Sequence, residues 1–114
     1  MFPSIATSGN NVYVIWFDSP IGFGSEGEIL YTRSTDEGAT FDDAINLIHS
    51  GSGSQVIAAS GNNVYIVWSD KLSGNNEILL VTSTNEGNTF GNAINLSNNA
   101  GGSDAPAIAV SKVA

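Results

Sequence analysis

"IATSGNNVYVIW", residues 5–16, returns 52 positions later as "IAASGNNVYIVW", residues 57–68, with 9 of 12 positions identical. A stretch this faithfully copied means that one structural unit is built twice, and it decides the fold before any local propensity is weighed. Working outward, "STDEGATFDDAINL" (34–47) recurs as "STNEGNTFGNAINL" (83–96), with 10 of 14 positions identical and an offset of 49. The three-residue difference between the offsets is absorbed in between, where "FDSPIGFGSEGEIL" is longer than "SDKLSGNNEIL". That segment is therefore a variable loop, and the copied stretches are framework. "PAIAVS" (106–111) repeats "PSIATS" (3–8) and reads as the opening of a third copy.

Each unit reads as four short strands. Val12 to Phe17 and Val64 to Trp68 are β-branched and aromatic, and each run follows "SGNN", a cluster whose Gly and Asn tolerate the positive φ of a tight turn. A hairpin between "SIATS" and "VYVIWF" follows. "EILYTRS" and "EILLVTS" supply a third strand in each unit, and "AINL" a fourth after the copied turn. In the second strand both pleat faces are apolar, with Val12, Val14 and Trp16 on one side and Tyr13, Ile15 and Phe17 on the other. Such a strand needs cover on both faces. Four-stranded antiparallel sheets of this length, repeated in tandem and buried on both faces, stack around an axis as the blades of a β-propeller. The expected fold class is all-β: one blade at about residues 3–47, a second at about 55–96, and the inner strand of a further blade at 106–111. A helical repeat is excluded, because Gly or Asn interrupts every stretch that could keep 3.6-residue apolar spacing. "STDE" as a helix capping box fails for the same reason, since no periodic apolar run follows it.

The duplicated turn carries a resemblance. Ser34, Asp36, Gly38, Thr40 and Phe41, in the pattern SxDxGxTF, resemble the Asp-box of the bacterial neuraminidase repeat (BNR), found in sialidase-type β-propellers and in many propellers without sialidase activity. In that family the box joins the third and fourth strands of a blade, which is where the strand reading places it. The resemblance implies a clasp: the Asp36 carboxylate turned back on amides of its own turn, Gly38 at positive φ, Ser34 and Thr40 adding hydroxyl bonds, and Phe41 anchoring the corner between strands. The second copy, with Ser83, Asn85, Gly87, Thr89 and Phe90, departs at Asn85, which keeps one acceptor oxygen without the charge and is expected to clasp more weakly by about 1 kcal/mol. Both copies use Phe where the family often has Trp. A catalytic role for Asp36 conflicts with its loss from the equivalent turn.

Sialidase-type catalysis, which the resemblance raises, relies on a cluster of arginines for the substrate carboxylate. This chain has one, Arg33, on the third strand and so two strands out from the axis at about 4.8 Å each. Copies of it around a ring would not converge. With 11 acidic against 3 basic side chains the net charge is −8, which repels carboxylate substrates, nucleic acid and anionic membrane surfaces alike. No apolar run approaches the length of a membrane span and no cleavable leader precedes the first strand, while the acidic, Asn/Ser/Gly/Thr-rich composition points to an extracellular or cell-surface setting. Cys is absent, so disulfides and thiolate metal sites are excluded.

Other constellations are weaker. Asp18, Glu26 and Glu28 in one unit, and Asp70, Asn75, Asn76 and Glu77 in the other, place hard oxygens suited to Ca²⁺ in the loops after the second strands, without EF-hand spacing. Solvated acidic loops are the plainer reading, and no other cofactor is implied. His49 stands alone beside Ser and Gly, "NLS" at 95–97 is a bare glycosylation sequon, and Trp16 and Trp68 fit core packing better than sugar stacking.

Two blades leave an outer face bare on each. Identical chains arranged head to tail would bury those faces and close a ring, three copies giving six blades and four giving eight. The expected function is a non-enzymatic module that assembles into a propeller and serves as a scaffold or a binding surface for glycan or protein. Against it stand a sialidase-like glycoside hydrolase, a Ca²⁺-dependent adhesive module, and a segment excised or designed from a longer repeat protein.

Overall fold

The computed structural model describes residues 3–18, 27–48, 55–72 and 75–97. Eight strands form two open four-stranded antiparallel sheets whose order follows the chain. The first holds β1 (Ser4–Ser8), β2 (Asn11–Asp18), β3 (Glu28–Ser34) and β4 (Ile45–Ile48). The second holds β5 (Gln55–Ser60), β6 (Asn63–Leu72), β7 (Asn75–Ser83) and β8 (Ile94–Asn95). The segments expected at 106–111, His49 and Glu26 lie outside the described residues.

Tight turns close the β1–β2 and β5–β6 hairpins, with Gly9 at φ +60° and Gly61 at φ +58°. Registers agree between the sheets: Ile5 pairs with Val14 and Ile57 with Ile66, and Val12 pairs with Ser34 and Val64 with Ser83. The outer strands differ. β4 pairs with β3 over Ile45 to Ile48 with a register shift at Ile29/Leu30, whereas β8 is two residues long. The "AINL" strands are thus displaced by one residue in the first sheet and cut short in the second.

Alternation along each strand gives every sheet a front face and a back face. The front of the first sheet carries Ile5, Val12, Val14, Trp16 and Leu30; its back carries Tyr13, Ile15, Phe17, Ile29 and Tyr31. That back face packs on the front of the second sheet, where Ile57, Val64, Ile66, Trp68, Leu79 and Val81 complete one buried cluster. Strands β1 and β5 lie side by side. There Ile57 N–H donates to Ser4 Oγ at 3.2 Å and Ser8 Oγ–H to the Gly61 carbonyl at 3.2 Å. Each large apolar side chain removed from water here contributes about 1.5–3 kcal/mol, so the seam between the sheets is the main source of stability.

The two outer faces are less covered. Val12, Val14, Trp16 and Leu30 are half-buried on the front of the first sheet, and Ile5 is 64% exposed where its counterpart Ile57 is 5% exposed. On the back of the second sheet Tyr65, Ile78, Leu80 and Thr82 are half-buried, while Val67 and Ser69 are buried.

Candidate functional site

The 34–41 and 83–90 turns are the most highly organised connections among the described residues. Ser34 is buried at the end of β3, and its Oγ–H donates to Asp36 Oδ1 at 2.7 Å while accepting from Gly38 N at 2.9 Å and Asp36 N at 3.3 Å. The carboxylate also accepts from Thr40 N at 2.9 Å and Thr40 Oγ1 at 2.5 Å. These bonds, led by the Thr40 and Ser34 hydroxyls, hold the Asp36 carboxyl down at about 2, below the usual carboxylate range. Three bonds from its own turn thus engage the carboxylate, two at Oδ1 and one at Oδ2, and commit it first to holding the loop. The carboxylate is turned back on its own loop, accepting from the Thr40 amide and from the Ser34 and Thr40 hydroxyls.

The second turn reproduces it with one reversal. Ser83 Oγ–H donates to Asn85 Oδ1 at 2.7 Å and Thr89 N to the same oxygen at 3.0 Å, but Asn85 Nδ2 now donates to Thr89 Oγ1 at 2.7 Å. The amide keeps the number of bonds by turning an acceptor into a donor, so the loss anticipated for Asn85 is confined to charge.

Both turns are pinned to the neighbouring hairpin of their own sheet, Glu37 N–H to Asn10 O and Glu86 N–H to Asn62 O, each at 2.8 Å. This fixes a conformation the sequence reading assigned to glycine alone. Glu37 at φ +61° and Glu86 at φ +60° enter the left-handed region one residue before Gly38 at +88° and Gly87 at +77°.

The aromatic residue that ends each turn departs from expectation. Phe41 does not anchor its own corner, being 46% exposed. Phe90 is half-buried and meets Tyr31 of the first sheet edge-on, with centroids 5.3 Å apart and planes at 83°. The Phe90 ring therefore serves an adjacent sheet, and among the described residues no second sheet packs on Phe41 in the same way.

Around Phe90 lies a polar latch between the sheets that the sequence reading missed. Tyr31 Oη–H donates to the Gly87 carbonyl at 3.0 Å and Arg33 Nη1 to the Glu86 carbonyl at 2.9 Å. Asn11 Nδ2 spends its two hydrogens on Tyr13 Oη at 2.9 Å and Glu86 Oε2 at 3.0 Å. Burial pushes both tyrosine hydroxyls above their ordinary range, which keeps Tyr31 a neutral donor. The Arg33–Asp42 pair, at 3.5 Å with Asp42 67% exposed, adds little. The available signal was that "YTR" (31–33) becomes "LVT" (80–82) within an otherwise copied strand. Arg33 is thus committed to main chain rather than presented to a ligand carboxylate.

The oxygen-rich segments considered for Ca²⁺ are mostly strand. β6 and β7 remain paired out to Leu72 and Asn75, so Asp70, Asn75, Asn76 and Glu77 sit on ladder positions, with Asp70 opposite Glu77 and Asp18 opposite Glu28. Glu77 is buried and accepts from Ser97 Oγ, which in turn accepts from Ile78 N at 2.9 Å. That bond also occupies the hydroxyl of the 95–97 sequon. Among the described residues no group of three or more His, Cys, Asp or Glu side chains gathers to hold a metal ion. Trp68, at 2% exposed, is core, while Trp16 on the uncovered face is half-buried.

A cleft of about 650 Å³ opens between the two hairpin turns, lined by residues 7–10 and 59–62 and Glu86. Its lining residues are mostly small and polar, with Glu86 the one charged residue among them. Among the described residues no helix is long and apolar enough to cross a membrane. Comparison with family models, with curated proteins and with solved structures finds no match. The described residues form a small all-β module of two stacked, repeated sheets, and among them no evident catalytic constellation is assembled.

Proposed function

We propose that the chain is a non-enzymatic repeat module, a pair of propeller blades of the Asp-box kind that completes its stack with further copies and serves as a scaffold presenting loops to glycan or protein. The observation that carries this reading is the contrast between Ile5, 64% exposed, and Ile57, 5% exposed: the same residue in the same register is buried where another sheet packs on it and exposed where none of the described sheets does. The polar groups that could have served chemistry point the same way, because Asp36 is closed within its own turn and Arg33 is spent on the Glu86 carbonyl. An extracellular or cell-surface setting fits the acidic composition.

Sedimentation equilibrium over a wide concentration range tests the proposal. A trimer or tetramer supports ring completion, and a compact monomer at every concentration overturns it. The competing sialidase-like hydrolase predicts turnover of a fluorogenic sialoside, which a scaffold leaves intact. A Ca²⁺-dependent adhesive module predicts a lower melting temperature in chelator, and the scaffold predicts none.

A further inference from the structure

The back of the second sheet is buried at its centre, yet no described element lies on it. Val67 and Ser69 are closed from solvent there, although the first sheet packs on the opposite face. A valine in the middle of a bare face keeps part of its surface in water, as Val14 does on the front of the first sheet. The burial is also graded across the strands. On β7 Ile78 and Leu80 are half-buried, whereas their counterparts under a complete four-stranded cover, Ile29 and Tyr31 on β3, are buried. Tyr65 is half-buried too, while its counterpart Tyr13 is buried under the 83–90 turn, where a Cβ at Gly87 would lie 3.0 Å from its ring. The cover is therefore narrow: it closes the middle of β6, leaves β7 half open and brings no turn of the 83–90 kind.

A single strand laid beside β5 has those dimensions. In the internal seam β5 itself holds that place beside β1, and its Ile57 belongs to the buried cluster on the back of the first sheet. We infer that residues 106–111 of the same chain take the corresponding place beside β5 and cover the centre of the second-sheet back. "PAIAVS" repeats "PSIATS" (3–8), carries no charge and puts Ile108 at the position of Ile5 and Ile57. Its reach is sufficient, because six residues, 49–54, carry the chain from the end of β4 to the start of β5, and eight, 98–105, separate Ser97 from Pro106. Eight residues span up to about 26–29 Å, against about 18 Å for three strand spacings combined with one sheet spacing. The 19–26 and 49–54 connections both leave from the first sheet, which lies on the other face, and 73–74 is the two-residue link of β6 to β7. The inference goes beyond the self-assembly reading, since it holds for one chain alone. A further copy in the stack then meets a strand already supplied, not a bare sheet.

The chain has no cysteine, so a thiol placed at Val67 reports directly on its cover. Maleimide labelling of Val67→Cys over a wide dilution series should be slow and independent of protein concentration. Adding Ile108→Lys should speed it about tenfold or more, because a charge is not held in that apolar contact and the strand lifts. Adding Ala109→Lys should leave it slow, since its counterpart Ala58 faces away from the seam. Circular dichroism and urea unfolding verify that the sheets stay folded, and Ile108→Ala gives the same contrast at a smaller step where lysine unfolds the chain. Fast labelling of Val67→Cys alone, or equal rates in the variants at 108 and 109, overturns the inference. A rate that rises on dilution also overturns it and assigns the cover to another copy. Sedimentation of the same samples reads assembly separately: a monomer with concentration-independent protection removes the self-assembly reading and supports this one.

Discussion

The two sheets share a topology, a register and most of their residues, yet the same position has different environments in each. Trp68 is 2% exposed and Trp16 half-buried; Phe90 meets Tyr31 and Phe41 meets solvent; Gly87 is buried and Gly38 exposed. In a repeat protein, then, the worth of a residue is set less by its own unit than by whether a neighbour covers it.

The sharpest way to break the comparison is to truncate the tryptophans. Trp68→Ala should cost about 3–5 kcal/mol in urea unfolding, as for other buried aromatics, and Trp16→Ala less than half of that in dilute protein. Equal costs would mean that the front of the first sheet is as well packed as that of the second.

Next come the glycines. A Cβ at Gly87 collides with the Tyr31 hydroxyl and lies 3.0 Å from the Tyr13 ring, whereas one at Gly38 meets only Val12 at 3.9 Å. Both positions have positive φ, costing about 1–2 kcal/mol for a side chain, so Gly38→Ala measures strain alone and Gly87→Ala adds the clash with the opposite sheet. The second should exceed the first by at least about 1 kcal/mol in thermal or urea unfolding.

A smaller, opposite effect is expected at the preceding residue. Glu37→Gly relieves left-handed strain at an exposed site and should stabilise by up to about 1 kcal/mol. Glu86→Gly relieves the same strain but removes the carboxylate that Asn11 donates to, so its gain should vanish or reverse. Differential scanning calorimetry of the pair resolves the difference.

The least perturbing test uses pH. The folded Asp36 carboxyl sits at about 2 against an ordinary aspartate value of 3.8, so its contribution is complete above the unfolded value and is lost as pH falls through the folded one. Asp36→Asn copies the Asn85 arrangement and should lower neutral stability slightly, by the charged part of those bonds, while removing that part of the melting-temperature decline between about pH 4 and 2. Asn85→Asp should introduce a matching decline.

Much of this was legible in the sequence. The copied stretches revealed the repeat, the four strands per unit and the turn between the third and fourth, because hairpin glycines and apolar alternation are local signals. The self-directed bonds of Asp36 followed from the family resemblance. What escaped reading depends on neighbours. Nothing within "STDEGATF" and "STNEGNTF" distinguishes an exposed Phe41 from a stacked Phe90. The polar letters of "SDKLSGNNE" suggested a loop where cross-strand pairing carries β6 and β7 further. Tyr31 was visible only as a departure from the copied pattern, and Arg33, noticed as the chain's one arginine, was weighed against a ligand carboxylate rather than a main-chain carbonyl of the next sheet.

The amides of Glu37 and Glu86 lie in surface turns, yet each is held at 2.8 Å by a carbonyl of the adjoining hairpin. Deuterium should enter them on the slow timescale of sheet opening rather than the fast one of loops, because releasing either requires the hairpin and the outer connection to part together. That single bond ties the innermost and outermost halves of each sheet, so fraying that begins at the two-residue β8 is stopped before it reaches the centre.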